Sequence, residues 1–120
     1  MLPKKNRLSG YQIPPLVRSG KRISNQTATL IFQKTSTADD PLKCTVIVPT
    51  RLSKKAVERN RTKRLLREAI QQNFHEIQSG YECIVMAKRI FNTEKLQDIE
   101  SDIRDLFNKA NLIANNETLK

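Results

Sequence analysis

The chain is short of the residues from which a protein-borne active site is assembled. Its one histidine, His75, follows Phe74 with no Ser, Cys or carboxylate at a spacing diagnostic of nucleophilic catalysis. Three glycines are too few for a glycine-rich phosphate loop. The pair Asp39-Asp40 stands in a turn before Pro41, where adjacent side chains need not converge on a metal, and Asp98, Glu100, Asp102 and Asp105 fall on the polar side of a helical repeat. Two cysteines, Cys44 and Cys83, lie far apart in apolar runs without a CxxC or Cys/His partner; they read as reduced, buried thiols rather than as a disulfide or a zinc site. No apolar run approaches the roughly 18 residues of a membrane span, and the basic N-terminal MLPKKNRLSGYQ lacks the apolar centre of a signal peptide. The expectation is a cytoplasmic protein with no membrane association, no catalytic residue, no metal site and no cofactor of its own.

What the chain has instead is positive charge, unevenly placed. Of its 120 residues 22 are Lys or Arg and 12 are Asp or Glu, a net charge of +10. Residues 1–67 hold sixteen cations against three acids, while residues 68–120 hold six against nine. The densest part is residues 51–68, RLSKKAVERNRTKRLLRE, where Arg51, Lys54, Lys55, Arg59, Arg61, Lys63, Arg64 and Arg67 face only Glu58 and Glu68. At about 100° per residue, Leu66, Ala69, Ile70 and Ile77 share one helical face, with Asn60, Lys63, Arg64, Arg67 and Gln71 on the flank and the opposite side. A solvated charged helix is normally laced with acids at i,i+4, and this one is not. Guanidinium forks bind phosphate oxygens in pairs, and an amide both donates and accepts, so the stripe suits a polyanion such as RNA.

Taken in order, residues 1–10, with Lys4, Lys5 and Arg7, read as a loosely ordered basic arm. Residues 11–20 form a short helix with Pro14-Pro15 in its first turn. From residue 21 the period becomes two, with Thr27, Thr29, Ile31 and Gln33 alternating with Ala28, Leu30, Phe32 and Lys34, a strand with one face in the core. A turn at 36–41 leads to an apolar strand at 44–48, stopped by Pro49 and expected to pair antiparallel with its predecessor as a hairpin. The basic helix then runs from Ser53 as N-cap to about Ile77. Ser79-Gly80 closes it, residues 81–87 make a buried strand, and Asn92 or Thr93 caps a last helix bearing Leu96, Ile99, Ile103, Leu106, Phe107 and Ala110. Residues 115–120 read as a frayed tail. The whole is one domain of residues 1–120, large enough to bury roughly 65% of its unfolded surface, in an α+β two-layer sandwich with helices on one sheet.

The run Lys54-Lys55-Ala56-Val57-Glu58-Arg59-Asn60-Arg61-Thr62-Lys63-Arg64-Leu65-Leu66-Arg67-Glu68 resembles the signature helix of the bacterial ribonuclease P protein family, in which an Arg-Asn-Arg core is followed by Lys-Arg, two apolar residues and Arg. The resemblance extends over residues 4–112, is specific at 51–68 and is suggestive at 81–88. It implies an αβββαβα order, with a short first strand at 22–24, and a mixed four-stranded sheet. It also implies a left-handed βαβ crossover at the RNR helix, where the general rule is right-handed. It further implies an accessory subunit of an endoribonuclease: the protein binds the catalytic RNA and the 5′ leader of precursor tRNA, and the RNA, with magnesium, hydrolyses the phosphodiester. No obligate protein partner is implied.

Carried over by position, the resemblance makes Arg51, Lys54, Lys55, Arg59, Asn60, Arg61, Lys63, Arg64 and Arg67 RNA contacts. It makes Ile13, Val17, Ile31 and Lys63 the lining of a leader-binding cleft between the first helix and the sheet, with Tyr11, or Phe32 from the core-facing side of its strand, to supply a ring. Val17 and Ile13 stand where the family has Phe, and Ile31 stands at a Tyr position. Apolar contact and charge therefore replace ring stacking worth about 1–3 kcal/mol per base. The segment Val48-Pro49-Thr50-Arg51 likewise replaces Val-Ser-Lys-Lys. The alternative is a non-catalytic RNA-binding module of ribosomal-protein type; a DNA-binding protein would need a helix-turn-helix or dimer symmetry.

Overall fold

Pro14 and Pro15 occupy the first turn of α1 (Ile13–Ser19), where a missing N–H costs no helical hydrogen bond. A 3-10 turn over Gly10–Gln12 precedes it, closed reciprocally by the Ser9 and Gln12 side chains. These details come from a computed structural model that describes residues 3–37 and 39–113. At Gly20 the chain leaves the helix directly over the sheet: a Cβ there would lie 2.8 Å from the Leu16 carbonyl oxygen and 2.9 Å from Ile31 Cγ2, so glycine alone fits.

Four strands follow: β1 (Lys21–Ser24), β2 (Ala28–Lys34), β3 (Lys43–Ile47) and β4 (Tyr81–Ala87). Their spatial order is β1-β2-β4-β3, with β1/β2 and β2/β4 antiparallel and β3/β4 parallel. The expected hairpin between the strands at 28–34 and 44–48 therefore does not form. β4 inserts between them because Cys83, Ile84, Val85 and Ala87 are all buried, on both faces, and such a strand belongs in the middle of a sheet. β3, whose residues alternate between buried and half-buried, takes the edge.

Two helices cover one face of the sheet, α2 (Ala56–Asn73) and α3 (Leu96–Lys109). Leu66, Ala69 and Ile70 of α2 and Ile99, Ile103, Leu106 and Phe107 of α3 meet Leu30, Phe32, Val46 and Val85 in the main core. The other face is covered over part of its area by α1, whose Leu16 packs with Leu8, Ile31 and Ile84. β2 is thus buried on both faces, not one; Ile31 is the apolar exception in an otherwise polar alternation, and α1 sits on it. Full burial of such a side chain contributes roughly 1.5–3 kcal/mol. Cys44 and Cys83 are free, buried register partners on β3 and β4. Their mutual hydrogen bond, together with burial, pushes the Cys83 thiol well above its usual pKa.

Helix ends differ from expectation for local reasons. Ser53 does not cap α2: its hydroxyl accepts the Lys55 N–H at 3.1 Å and donates to Glu58 Oε1 at 2.6 Å, organising a turn before the helix begins at Ala56. The helix stops at Asn73, not at Ile77. The Asn73 amide donates back to the Ala69 carbonyl at 3.0 Å, and one 3-10 turn, Phe74–Glu76, follows. Ile77 is buried outside the helix, bridged to Ile113. Before α3, Asn92 and Thr93 donate their N–H groups to Glu94 Oε1, and the helix begins only after Lys95. Gly80, at φ 81°, turns the chain into β4 and ties the loop after β2 through Asp40 and Thr35.

The basic arm is packed, not loose. Its Asn6 is buried and donates to the Leu42 carbonyl at 2.7 Å, Arg7 bridges Cys44 on the edge strand, and Leu8 is in the α1-side core. Met1 and Leu2 of that arm, and the tail at 115–120, lie outside the described residues. No helix among the described residues is long and apolar enough to cross a membrane.

Candidate nucleic-acid interface

The spacing of α2 determines what it can offer a ligand. Thr62, Leu66, Ala69, Ile70 and Asn73 are buried on one side, and Asn60, Arg64, Arg67 and Gln71 are exposed on the other, with Lys63 half-buried on the flank and Arg61 exposed. Packing against the sheet and α3 therefore fixes the helix from behind while the cations point outward. Among the described residues, Arg51, Lys54, Lys55, Arg61, Lys63, Arg64 and Arg67 take part in no ion pair. Seven cations without a carboxylate partner, six of them exposed and Lys63 half-buried, are a surface of uncompensated charge.

Two residues of the stretch have structural work as well. Arg59 is half-buried and donates to the Ser53 carbonyl at 2.9 Å, which pins the turn carrying Lys54 and Lys55. Thr62, in the middle of the cationic run, is fully buried, and its hydroxyl accepts the Phe91 N–H at 3.0 Å. That bond locks α2 to the connection between β4 and α3. Its signal in sequence is a lone small polar residue at a position whose helical neighbours Leu66 and Ala69 are apolar.

Around α1 the picture is mixed. Ile13 and Val17 are half-buried and, like Ile47 of β3 and Met86 of β4, pack against the cluster of Leu8, Leu16, Ile31 and Ile84, which makes an apolar floor on this face of the sheet. Tyr11 is 81% exposed at the start of α1, free to stack on a base. Ile31, by contrast, is completely buried beneath Leu16 and Gly20, so it supports the floor and presents no surface to a ligand; as a cleft contact it is corrected. Lys63 lies on α2, which covers the other face of the sheet from α1, and shares the basic stripe rather than the apolar floor. Ile47 and Met86 escaped the sequence reading, although strand alternation places both opposite the core residues Val46 and Val85.

The arm and α2 come together across the edge strand, where Arg7, Leu8, Thr45 and Arg67 line a small cleft of about 170 Å³. His75 is exposed beside Glu76, and among the described residues no group of three His, Cys, Asp or Glu side chains converges. A surface of Lys and Arg does not suit a divalent cation; it suits phosphates.

Comparison with known proteins shows the family and the fold. The sequence model of the family described as Ribonuclease P matches residues 2–111. The Ribonuclease P protein component of Clostridium acetobutylicum is 30% identical over 115 residues, covering 95% of this chain and 96% of that protein. In fold, the chain is similar to the RNase P protein from Thermotoga maritima at a TM-score of 0.75, with 20% identity over 86% of this chain and 96% of that one. It is similar to the Staphylococcus aureus RNase P protein at 0.76, with 19% identity over 92% and 99%.

Proposed function

The chain belongs to the ribonuclease P protein family, and we propose from that premise that it binds the catalytic RNA of ribonuclease P and the 5′ leader of precursor tRNA. It is an accessory subunit of the enzyme that matures tRNA 5′ ends, acting in the cytoplasm without an obligate protein partner. In this reading Asn60, Arg61, Lys63, Arg64 and Arg67 on α2, with Arg51, Lys54 and Lys55 at its start, contact phosphates and riboses of the RNA. Arg59 holds their turn in place while adding its charge. The leader crosses the floor of Ile13, Val17, Ile47 and Met86, with Tyr11 at its end. The protein supplies no catalytic residue and holds no metal; the magnesium of the reaction resides with the RNA.

The observation that carries this reading is the exposed stripe of α2, whose cations lack ion-pair partners among the described residues and whose sequence falls inside the matched family region. The ribosomal-type module is not favoured, because the family model spans nearly the whole chain. The test is reconstitution. Added to a bacterial catalytic RNA at low magnesium, the protein accelerates 5′ cleavage of precursor tRNA; rigorously RNA-free protein cleaves nothing. No acceleration, or cleavage by the protein alone, would overturn the proposal.

A further inference from the structure

A second basic surface extends beyond the α2 stripe, meeting it only where Arg7 and Arg67 share a cleft. The arm, the end of β2 and the start of β3 enclose a groove of about 790 Å³ whose cations are Lys4, Lys5, Arg7, Lys34 and Lys43. Two acids, Asp40 and Glu82, also line it. Glu82 is engaged by the Gln12 amide at 3.2 Å and sits between Gln33 on β2 and Lys43 on β3, its register partners. Lys4, Lys5, Lys34 and Lys43 join no ion pair among the described residues. The cations are held in place, because the bond from Asn6 to Leu42 and the burial of Leu8 fasten the arm beside β3.

Position separates this groove from the start of the stripe, while Arg7 joins it to Arg67 farther along α2. It lies where β3 begins, whereas Arg51, Lys54 and Lys55 follow the other end of the same strand. Five residues of strand span about 16 Å, which exceeds the screening length of about 8–10 Å at physiological salt. The two groups of cations therefore need separate phosphates. The Arg7–Arg67 cleft on the edge strand lies between them. The lining between the cations is hydrophilic, with Ser9, Gln12, Gln33, Thr35 and Ser36, and no aromatic ring is there to stack on a base. Spread charge without a stacking platform suits the repeating phosphates of a backbone, not one small anion and not a base.

We propose that this groove is a second RNA-backbone site, which extends the footprint of the chain beyond α2. It deepens the RNA-binding reading and rests on it only for which RNA is bound. The test compares two triple variants that each remove three exposed lysines, Lys4→Gln/Lys5→Gln/Lys34→Gln in the groove and Lys88→Gln/Lys95→Gln/Lys109→Gln elsewhere. Each is titrated, as full-length folded protein, with an unstructured single-stranded RNA of about 12 nucleotides over a range of salt. The slope of log K on log[salt] should shrink by about 2 in the groove variant, at about 0.7 per lost phosphate contact, and stay near wild type in the control. Equal slopes in the two variants would overturn the proposal. Repeating the titration with catalytic RNA, and in reconstituted holoenzyme with precursors of long and short leader, assigns the source. A loss with catalytic RNA means that the groove holds that RNA, and a loss confined to long leaders means that it holds the leader. A wild-type chain that binds the short RNA through the groove yet fails to assist the catalytic RNA would break the family reading and leave the groove standing.

Discussion

α2 and α3 lie side by side on the same face of the same sheet and use their polar surfaces in opposite ways. On α3 both cations and two of the acids have partners within the protein: Arg104 pairs with Glu76, Lys109 with Asp105 at 3.4 Å, and the Asp102 carboxylate accepts the Thr27 hydroxyl. On α2, Arg61, Lys63, Arg64 and Arg67 have no ion-pair partner among the described residues. The fold needs an apolar stripe from each helix, and both supply one. Nothing in the fold needs the unpaired cations, whose mutual repulsion works against the compact state. A feature that packing does not require and electrostatics disfavours is a feature for a partner.

This contrast breaks most sharply in the core of α3. Phe107→Ala removes a fully buried ring and should cost about 3–5 kcal/mol of stability, measured by chemical denaturation, with RNA affinity falling only as the folded fraction falls. Direct loss of affinity in the folded fraction of that variant would mean that α3 touches RNA. The mirror experiment is Arg64→Ala/Arg67→Ala on α2. Both side chains are exposed, so stability should stay within about 0.5 kcal/mol, while charge-assisted hydrogen bonds worth about 1.5–3 kcal/mol each are lost from the RNA complex. Unchanged affinity for catalytic RNA would make the stripe an ordinary solvated face.

The same contrast explains which features could be read from residues alone. The cationic stripe and the α3 core are periodic over several turns, and periodicity over that length survives any tertiary arrangement. Strand pairing does not follow from such patterns. Nothing local in residues 28–34 and 44–48 says that β4 will come between them; the choice depends on burial of a strand almost forty residues later. Ile31 is covered, not a cleft residue, for a related reason: its alternation puts it on the α1 side of the sheet, but α1 is too short for its pattern to specify which residues it will bury. Helix starts were missed where a single hydrogen bond decided them, as with the Ser53 hydroxyl and the Glu94 carboxylate. In the arm the charge is plain in the residues, whereas the anchoring roles of Asn6 and Leu8 come only from the packed structure.

A smaller effect separates the apolar floor from the α2 stripe. Val17→Phe and Ile13→Phe each put a ring on a half-buried position next to Ile47 and Met86. If the leader crosses there, either should tighten binding of precursor over mature tRNA by up to about 1–3 kcal/mol per stacked base, with affinity for catalytic RNA unchanged. Folded variants with an unchanged precursor-over-mature ratio would assign those side chains to support of α1 alone.

The smallest expected effect is the most discriminating for the comparison of the two helices. Lys109→Ala on α3 and Arg64→Ala on α2 each remove one positive charge, so they change the net charge of +10 identically. Lys109 is about half exposed and paired with Asp105 one turn earlier. Exposed i,i+4 pairs stabilise by about 0.3–0.5 kcal/mol, so a loss of that size is expected in denaturation. If RNA responded to net charge alone, the two substitutions would weaken binding equally. If it responds to the unpaired stripe, Lys109→Ala leaves both affinity and salt slope unchanged, while Arg64→Ala lowers the slope by about 0.7–0.9, the value for one phosphate. Equal slopes for the two variants would therefore remove the basis for treating α2 as a specific interface.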